Sequence, residues 1–312
     1  MSQLKNNRPP LFLAGASATG KSEVALLLAE RVGGEIISVD SMQVYRGLDI
    51  GTAKPTPAER QRVPHHLIDV VGLTEPFDAA QFVRLAHAAV AEIQARGKVP
   101  IFCGGTGLYF KAFLEGLGEA PPADAAVRAG LETTPLQILL DELQQCDPVA
   151  YEKIDRQNPR RVVRALEVIR LTGKPFSAQR TGWSPPETAF NPQLPTIWSL
   201  ARTVGDLQAR MNTRVDRMFQ QGLVAEVSHL LTQGLAENKT AMQAIGYRQV
   251  VEQLRGEKSL SETIALVKIR TRQFTKRQLT WFRRQPQVKW LECRAQEPPE
   301  AVAARLSAAI EI

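Results

Sequence analysis

Apolar residues fall along this chain in short runs that alternate with longer amphipathic stretches. The run Leu11-Phe12-Leu13-Ala14 is followed by a helix-like pattern over 22–32, a second apolar run over 35–40, and a helical stretch over 79–96. A third run over 99–103, another helical stretch over 106–115 and a fourth run over 196–201 continue the alternation. Strands that are apolar throughout are buried on both faces, and strands separated by helices predict a parallel sheet with helices on both sides, an α/β fold. Between about 117 and 193 the strand pattern stops. Pro121-Pro122 opens this region, Pro185-Pro186 and Asn191-Pro192 lie near its end, and helical periods cover 136–145 and 159–171. We read it as a helical insertion that returns to the sheet at Thr196. Residues 204–284 read as largely helical, and the Ala- and Glu-rich chain from about 294 as peripheral. The expected organisation is a first core segment 1–116, the insertion 117–193, a second core segment 194–290 and a C-terminal segment 291–312.

Between the first strand and the first helix stands Gly15-Ala16-Ser17-Ala18-Thr19-Gly20-Lys21-Ser22. A glycine-rich loop in that setting is a phosphate cradle: its glycines let successive backbone N–H groups point at phosphate oxygens, and the helix start adds positive potential. Lys21 is placed to neutralise terminal phosphates and Ser22 to hold Mg²⁺. The loop says what is held and not what is done to it, since kinases, ATPases and several transferases share it.

Asp40 ends the second strand, and in open parallel sheets ligands bind beyond the carboxyl ends of the strands. Asp40 can therefore hold a metal or act as a general base beside the cradle. Thr106 follows the third strand at the same sheet edge, where its hydroxyl can meet a phosphate or cap the next helix. Arg210 and Arg214 lie one turn apart on one helix face. Spacing does not choose between them.

Charge adds a partner to this picture. The formal net charge is +7, and the 44% of apolar residues is ample for a core. Lys268, Arg270, Arg272, Lys276, Arg277, Arg283 and Arg284 fall in one stretch without an acid. On a helix, Lys268, Arg272 and Lys276 form a stripe suited to tracking phosphates, with Phe274, Trp281 and Phe282 available to pack or stack; for Trp281 and Phe282 packing in the core is expected. Cys103, Cys146 and Cys293 are far apart and lack metal-ligand spacing, which fits a reducing compartment. The adjacent His65 and His66 point to opposite faces of an extended segment, so a structural or substrate-lining role is expected rather than a metal site. No run approaches the ~18 apolar residues that cross a bilayer, and a cytoplasmic protein without a membrane partner is expected.

The blocks Gly15–Ser22, 37–45, 49–55, 65–69, 104–109, Gly246-Tyr247-Arg248-Gln249 and 271–283 together resemble the tRNA dimethylallyltransferase family. The resemblance runs in the family's order from residue 15 to about 284. It implies a P-loop NTPase-like core with a tRNA-contacting insertion. The implied reaction, with Mg²⁺, moves a dimethylallyl group from its diphosphate to the exocyclic N6 of an adenine beside the tRNA anticodon. By the same resemblance Asp40 is the base, Thr106 and Arg214 serve the diphosphate with the loop, and Asp40, Ser41, Met42 and Gln43 touch the target nucleotide. Gln43 can read an adenine edge through its amide. Gln157, Asn158, Pro159, Arg160 and Arg161 resemble the family's tRNA-contacting segment, with Arg164 one turn further, and Arg248, Arg272, Lys276 and Arg277 complete the expected tRNA surface. A monomer is expected. The chain departs from the pattern at Ala16-Ser17, where many relatives have Pro-Thr, although Ser17 retains a hydroxyl. No Cys- and His-rich finger follows Arg284, as in the shorter bacterial-type members. The competing readings are a P-loop kinase for a small metabolite, a transferase acting on free adenine nucleotides, and an RNA-binding module with a vestigial loop.

Overall fold

The computed structural model describes residues 8–118, 120–180 and 194–310. Pro185-Pro186 and Asn191-Pro192 lie outside them. The described residues fall in two compact units, one within Met1–Lys111 and Ala189–Ile312, the other within Ala112–Thr188.

In chain order the elements are β1 (Leu11–Ala14), α1 (Lys21–Val32), β2 (Gly34–Val39), α2 (Pro57–Arg62), β3 (His65–His66), α3 (Ala79–Ala95), β4 (Val99–Gly104) and α4 (Gly107–Glu115). There follow α5 (Ala125–Glu132), α6 (Leu136–Cys146), α7 (Pro148–Lys153), α8 (Pro159–Thr172) and β5 (Ile197–Ala201). The chain continues with α9 (Val204–Gln220), α10 (Leu223–Leu231), α11 (Tyr247–Leu254), α12 (Leu260–Arg283), β6 (Val288–Glu292) and α13 (Pro299–Ala309).

The strands form one parallel sheet in the order β3-β2-β4-β1-β5-β6. β2 and β4 are buried along their whole length, as their continuous apolar runs require. β1 sits between β4 and β5, with Leu13 opposite Cys103 on one side and Trp198 on the other. The chain therefore winds both ways from β1, and the loops after β1, β2, β4 and β5 open at one edge of the sheet.

Two edge strands escape the apolar-run pattern. β3 has only two residues, and in β6 the sequence Val-Lys-Trp-Leu-Glu interleaves charges because the strand has a single neighbour. The C-terminal segment, expected to be peripheral, instead carries α13, whose Val302, Ala303 and Leu306 are fully buried in a core shared with Val24, Ala25 and Leu28 of α1. The two histidines find structural partners at the amino-terminal end of the sheet: His66 Nε2 lies 2.6 Å from Glu35, which Arg96 also binds. Burial works to raise the Glu35 carboxyl, but the hydrogen bonds from Arg96 and His66 outweigh it and hold it below its ordinary value.

The second unit is helical, with a core of Leu131, Leu139, Leu143, Val162, Ala165 and Leu166. Arg164 does not project as a free cation from the start of α8. Its guanidinium binds Glu167, a carboxylate with no exposed surface that also receives Arg128. A buried carboxylate left without those partners would be costly, so Arg164 is committed to the fold of this unit. No helix among the described residues is long and apolar enough to cross a membrane.

Candidate active site

The phosphate loop is a strained piece of backbone held from behind. Ala18 has φ +65°, a left-handed conformation uncommon for a residue with a side chain. Gly20, with φ +92°, is the N-cap of α1 and makes the last turn into the helix without the steric cost a side chain would carry. Two arginines hold the loop's carbonyl oxygens: Arg202 Nε donates to Thr19 O at 2.8 Å, and Arg210 Nε donates to Ala18 O at 3.0 Å. Arg202 is itself fixed by Asp206 at 2.9 Å and its side chain is 4% exposed. The hydroxyl of Thr19 closes the loop on Ala16 O at 3.0 Å. Holding these carbonyls from outside leaves amides of such a loop available to an anion.

To the described residues Lys21 donates one hydrogen bond, to Ala16 O at 3.2 Å. An ammonium has three donors, so two are available to a phosphate group. Burial draws this ammonium below its ordinary pKa, Arg214 adds to the effect, and Asp40 opposes it. Cys103 lies behind the lysine, its Sγ 3.8 Å from Lys21 O, and burial pushes its thiol up to about 11. It is a neutral packing group and not a nucleophile.

Asp40 leaves β2 beside this cradle. Its Oδ1 accepts from Met42 N at 2.8 Å and from Gln43 N at 3.3 Å, an Asx turn that fixes the side chain. Its Oδ2 makes no hydrogen bond to the described residues, and the carboxylate interacts electrostatically with Lys21 and Arg214. Thr106 stands opposite: the Gly105 and Thr106 amides both donate to Val39 O, at 3.2 and 3.1 Å, joining the ends of β2 and β4. The Thr106 hydroxyl accepts from Ser41 N at 3.2 Å, so it ties the Asp40 turn to the start of α4.

The structure divides the two α9 arginines that spacing left equivalent. Arg210 braces the loop, whereas Arg214 reaches past it to Thr52 O at 3.5 Å. Arg214 makes no other hydrogen bond to the described residues, which leaves four of its five donors for a ligand. Burial draws its guanidinium below its ordinary value and the nearby Asp40 carboxylate works the other way. Asp40, Lys21, Thr106 and Arg214 thus converge from four elements.

Gln43 is held more firmly than its expected reading role implies. Its Oε1 accepts from Ser38 Oγ at 2.8 Å and its Nε2 donates to Thr52 O at 3.2 Å and Ala53 O at 3.3 Å. The amide braces the loop after β2, and contact with a base requires some of these bonds to be exchanged. Ser41 and Met42 are half-buried on the same turn.

The remaining expected contacts are surface groups. Arg272, Lys276 and Arg277 are exposed on α12, with Arg277 5.7 Å over the ring of the partly exposed Phe274. Lys268, counted in the same stripe, is instead paired with Asp216 at 2.6 Å. Phe282 is fully buried, and Trp281 is half-buried with its ring edge-on to Phe282. Arg248 is exposed and bonded to Glu252 at 3.0 Å. Gln157, Pro159, Arg160 and Arg161 are exposed at the start of α8 and Asn158 is half-buried, all in the second unit.

Several residues that shape the site were not singled out from the sequence. Tyr247 donates to Glu226 at 2.6 Å, and Glu226 accepts from Ile50 N at 2.8 Å while the Tyr247 hydroxyl meets Gly51 N at 3.2 Å. This latch fixes the 49–55 loop and, through Thr52, the partner of both Gln43 and Arg214. Burial pushes the Tyr247 phenol far up, Glu226 adding to it, so it stays a donor. Lys54 fills the same loop from inside, binding Tyr45 O, Asp49 and Asp69. Tyr247 directly after Gly246, and Lys54 in the same short loop as Asp49, were the available signals.

Comparison with known proteins places this arrangement. The profile of the family described as IPP transferase matches residues 43–285. The chain is 46% identical over 288 residues to the tRNA dimethylallyltransferase of Geobacter sulfurreducens, covering 90% of this chain and 91% of that one. It is 39% identical to that of Pelotomaculum thermopropionicum over 315 residues, covering 100% and 99%. Among solved structures, the full-length tRNA isopentenylpyrophosphate transferase of Bacillus halodurans superposes with a TM-score of 0.69 at 36% identity, covering 98% of this chain and 97% of that one. A eukaryotic dimethylallyltransferase acting on tRNA superposes with a TM-score of 0.81 at 27% identity, over 97% of this chain and 78% of that chain. With Asp40, Lys21, Thr106 and Arg214 gathered at the edge of a parallel sheet shared with these structures, the chain belongs to the IPP transferase family.

Proposed function

We propose that this protein transfers a dimethylallyl group from dimethylallyl diphosphate to N6 of the adenine beside the anticodon of tRNA. The observation that carries the reading is the setting of Asp40: one carboxylate oxygen is spent on the Met42 and Gln43 amides, the other makes no hydrogen bond to the described residues, and the carboxylate interacts electrostatically with Lys21 and Arg214. Adenine N6 is a weak nucleophile because its lone pair is delocalised into the ring. As the N6–carbon bond forms, the free oxygen of Asp40 accepts the N6 proton. On the other side of the same carbon, the bond to the diphosphate oxygen breaks and its electron pair leaves with the diphosphate. The growing charge meets the loop amides, Lys21, Thr106 and Arg214, which are already in place and need no reorganisation. A phosphate cradle thus grips a leaving group.

Mg²⁺ fits this site as a shared ligand. Ser22 is exposed at the first turn of α1, and no group of three acidic, histidine or cysteine side chains among the described residues forms a cage. Magnesium is usually held by one or two protein oxygens together with substrate phosphates, so Ser22 and the diphosphate are a suitable donor set. Bound there, it would neutralise charge on the leaving group.

Each unit offers tRNA contacts of its own: the exposed α12 cations Arg272, Lys276 and Arg277 with Arg248 in the first, and the Gln157–Arg161 segment in the second. Bases in a folded anticodon loop must be swung out to reach the half-buried Asp40 carboxylate, which calls for a grip on the RNA backbone. Changing Arg272, Lys276 and Arg277 together to glutamine should flatten the dependence of log Kd for tRNA on log salt by about two to three units, since each lost phosphate contact removes ~0.7–0.9. Filter binding between low and moderate salt reads this slope, and an unchanged slope removes α12 from the interface.

The reading as a whole is tested by offering labelled dimethylallyl diphosphate with tRNA or with AMP, and labelled ATP with the same acceptors. Label is expected on tRNA from the prenyl donor alone. Label on AMP would favour the free-nucleotide reading, and phosphoryl transfer from ATP would favour the kinase.

A further inference from the structure

Gln278 takes no part in the chemistry above, yet it spans two loops of the site. It lies on the inner face of α12, where Thr263, Val267, Thr271, Thr275, Gln278 and Phe282 form the buried stripe, and it is 8% exposed. Its Oε1 accepts from Ser17 N at 2.9 Å and from Ser17 Oγ at 3.1 Å, and its Nε2 donates to Gly105 O at 3.0 Å. Ser17 lies within the phosphate loop, and Gly105 directly precedes Thr106. The lack of a side chain at Gly105 is what admits the amide: a Cβ there would stand 2.3 Å from Gln278 Nε2.

An amide is suited to this place because it accepts at one end and donates at the other. A carboxylate could still receive the Ser17 donors but would face Gly105 O with a second acceptor, and an aliphatic side chain would leave Gly105 O buried without this partner and strip the half-buried Ser17 donors of theirs. The position also accounts for the Ala16-Ser17 departure. What the bridge needs at position 17 is a backbone N–H and a hydroxyl, and serine keeps both.

We infer that Gln278 is a positioning residue for the donor diphosphate, holding the phosphate loop at a fixed separation from Thr106. The inference rests on the function proposed above, which makes that separation the width of the diphosphate site. The bridge pre-organises the loop amides and the Thr106 hydroxyl, and its loss should be felt in donor affinity before acceptor affinity.

Titration calorimetry with inorganic pyrophosphate, alongside steady-state kinetics with dimethylallyl diphosphate and tRNA, tests it on the full chain. Gln278→Leu is expected to weaken pyrophosphate binding about tenfold and to raise the KM for the donor by a similar factor, with the KM for tRNA little changed. Gln278→Glu, which keeps the side-chain shape and the Ser17 bonds, should fall between, and it carries the test if Gln278→Leu does not fold. Ser17→Ala should weaken pyrophosphate a few fold in the native background and add nothing to Gln278→Leu. A purely structural role predicts a lower Tm with pyrophosphate affinity unchanged in the folded fraction. That result, or full additivity of the two substitutions, overturns the inference. A native protein that binds pyrophosphate but transfers nothing to tRNA would instead refute the proposed function and leave the bridge standing.

Discussion

Asp40→Asn is expected to lower the rate of dimethylallyl transfer by about 10²–10⁴, the usual worth of a general base, while tRNA affinity changes by no more than a few fold. Asparagine is the informative substitution because it separates two jobs of the side chain. Its amide oxygen can still accept from Met42 N and Gln43 N, so the turn after β2 survives. What it lacks is a second oxygen able to take a proton. Asp40→Ala removes both the turn contacts and the base, and any loss beyond that of asparagine measures what the turn contributes by placing Ser41 against Thr106. Single-turnover transfer at saturating tRNA and donor isolates the chemical step from binding. Turnover within tenfold of the native rate for Asp40→Asn would leave the reaction without its proposed base.

The parts of the site that were legible in the sequence are those made by neighbours along the chain. The loop from Gly15 to Ser22 and the strand that ends in Asp40 each announce themselves within a dozen residues, because the turn, the helix start and the buried run are local events. Arg214 could be paired with Arg210 but not separated from it, since their difference is made by Ala18 O and Thr52 O, which belong to distant loops. Gln278 and Tyr247 stood in blocks that carried the resemblance, but their roles were not legible for the same reason: each acts across a contact between elements far apart in the chain. The misread residues share another cause. Arg164 and Lys268 looked like surface cations because sequence shows the charge and not its partner, although Glu167, three residues after Arg164, was a visible hint. The C-terminal helix looked peripheral because its buried face includes the small Ala303 beside Val302 and Leu306, a weak apolar signal until α1 covers it. Strands β3 and β6 were missed where a short or one-sided edge strand needs no continuous apolar run.

Lys21→Met should lower transfer by about 10²–10³, the range found when one preorganised charge or donor is taken from a developing anion. The loss should fall on donor use rather than on tRNA binding, because the ammonium stands in the phosphate loop, bonded to Ala16 O, with two donors left for a phosphate group. Stability should move the other way. Burial has drawn the Lys21 ammonium below its ordinary pKa, so the folded state binds this proton less tightly than the unfolded chain does. The charged lysine therefore works against folding at neutral pH, and the cost fades as pH rises through the folded and then the unfolded pKa. Methionine keeps the length and apolar stem of the side chain without that charge, so the Tm at neutral pH is expected to hold or rise as activity collapses. Arg214→Met, which removes the second buried cation beside Asp40, should show the same division between donor and tRNA affinity. Thermal melts set beside the KM for each substrate decide the matter: a fall in Tm with donor KM unchanged would make Lys21 a residue of the fold and not of the reaction.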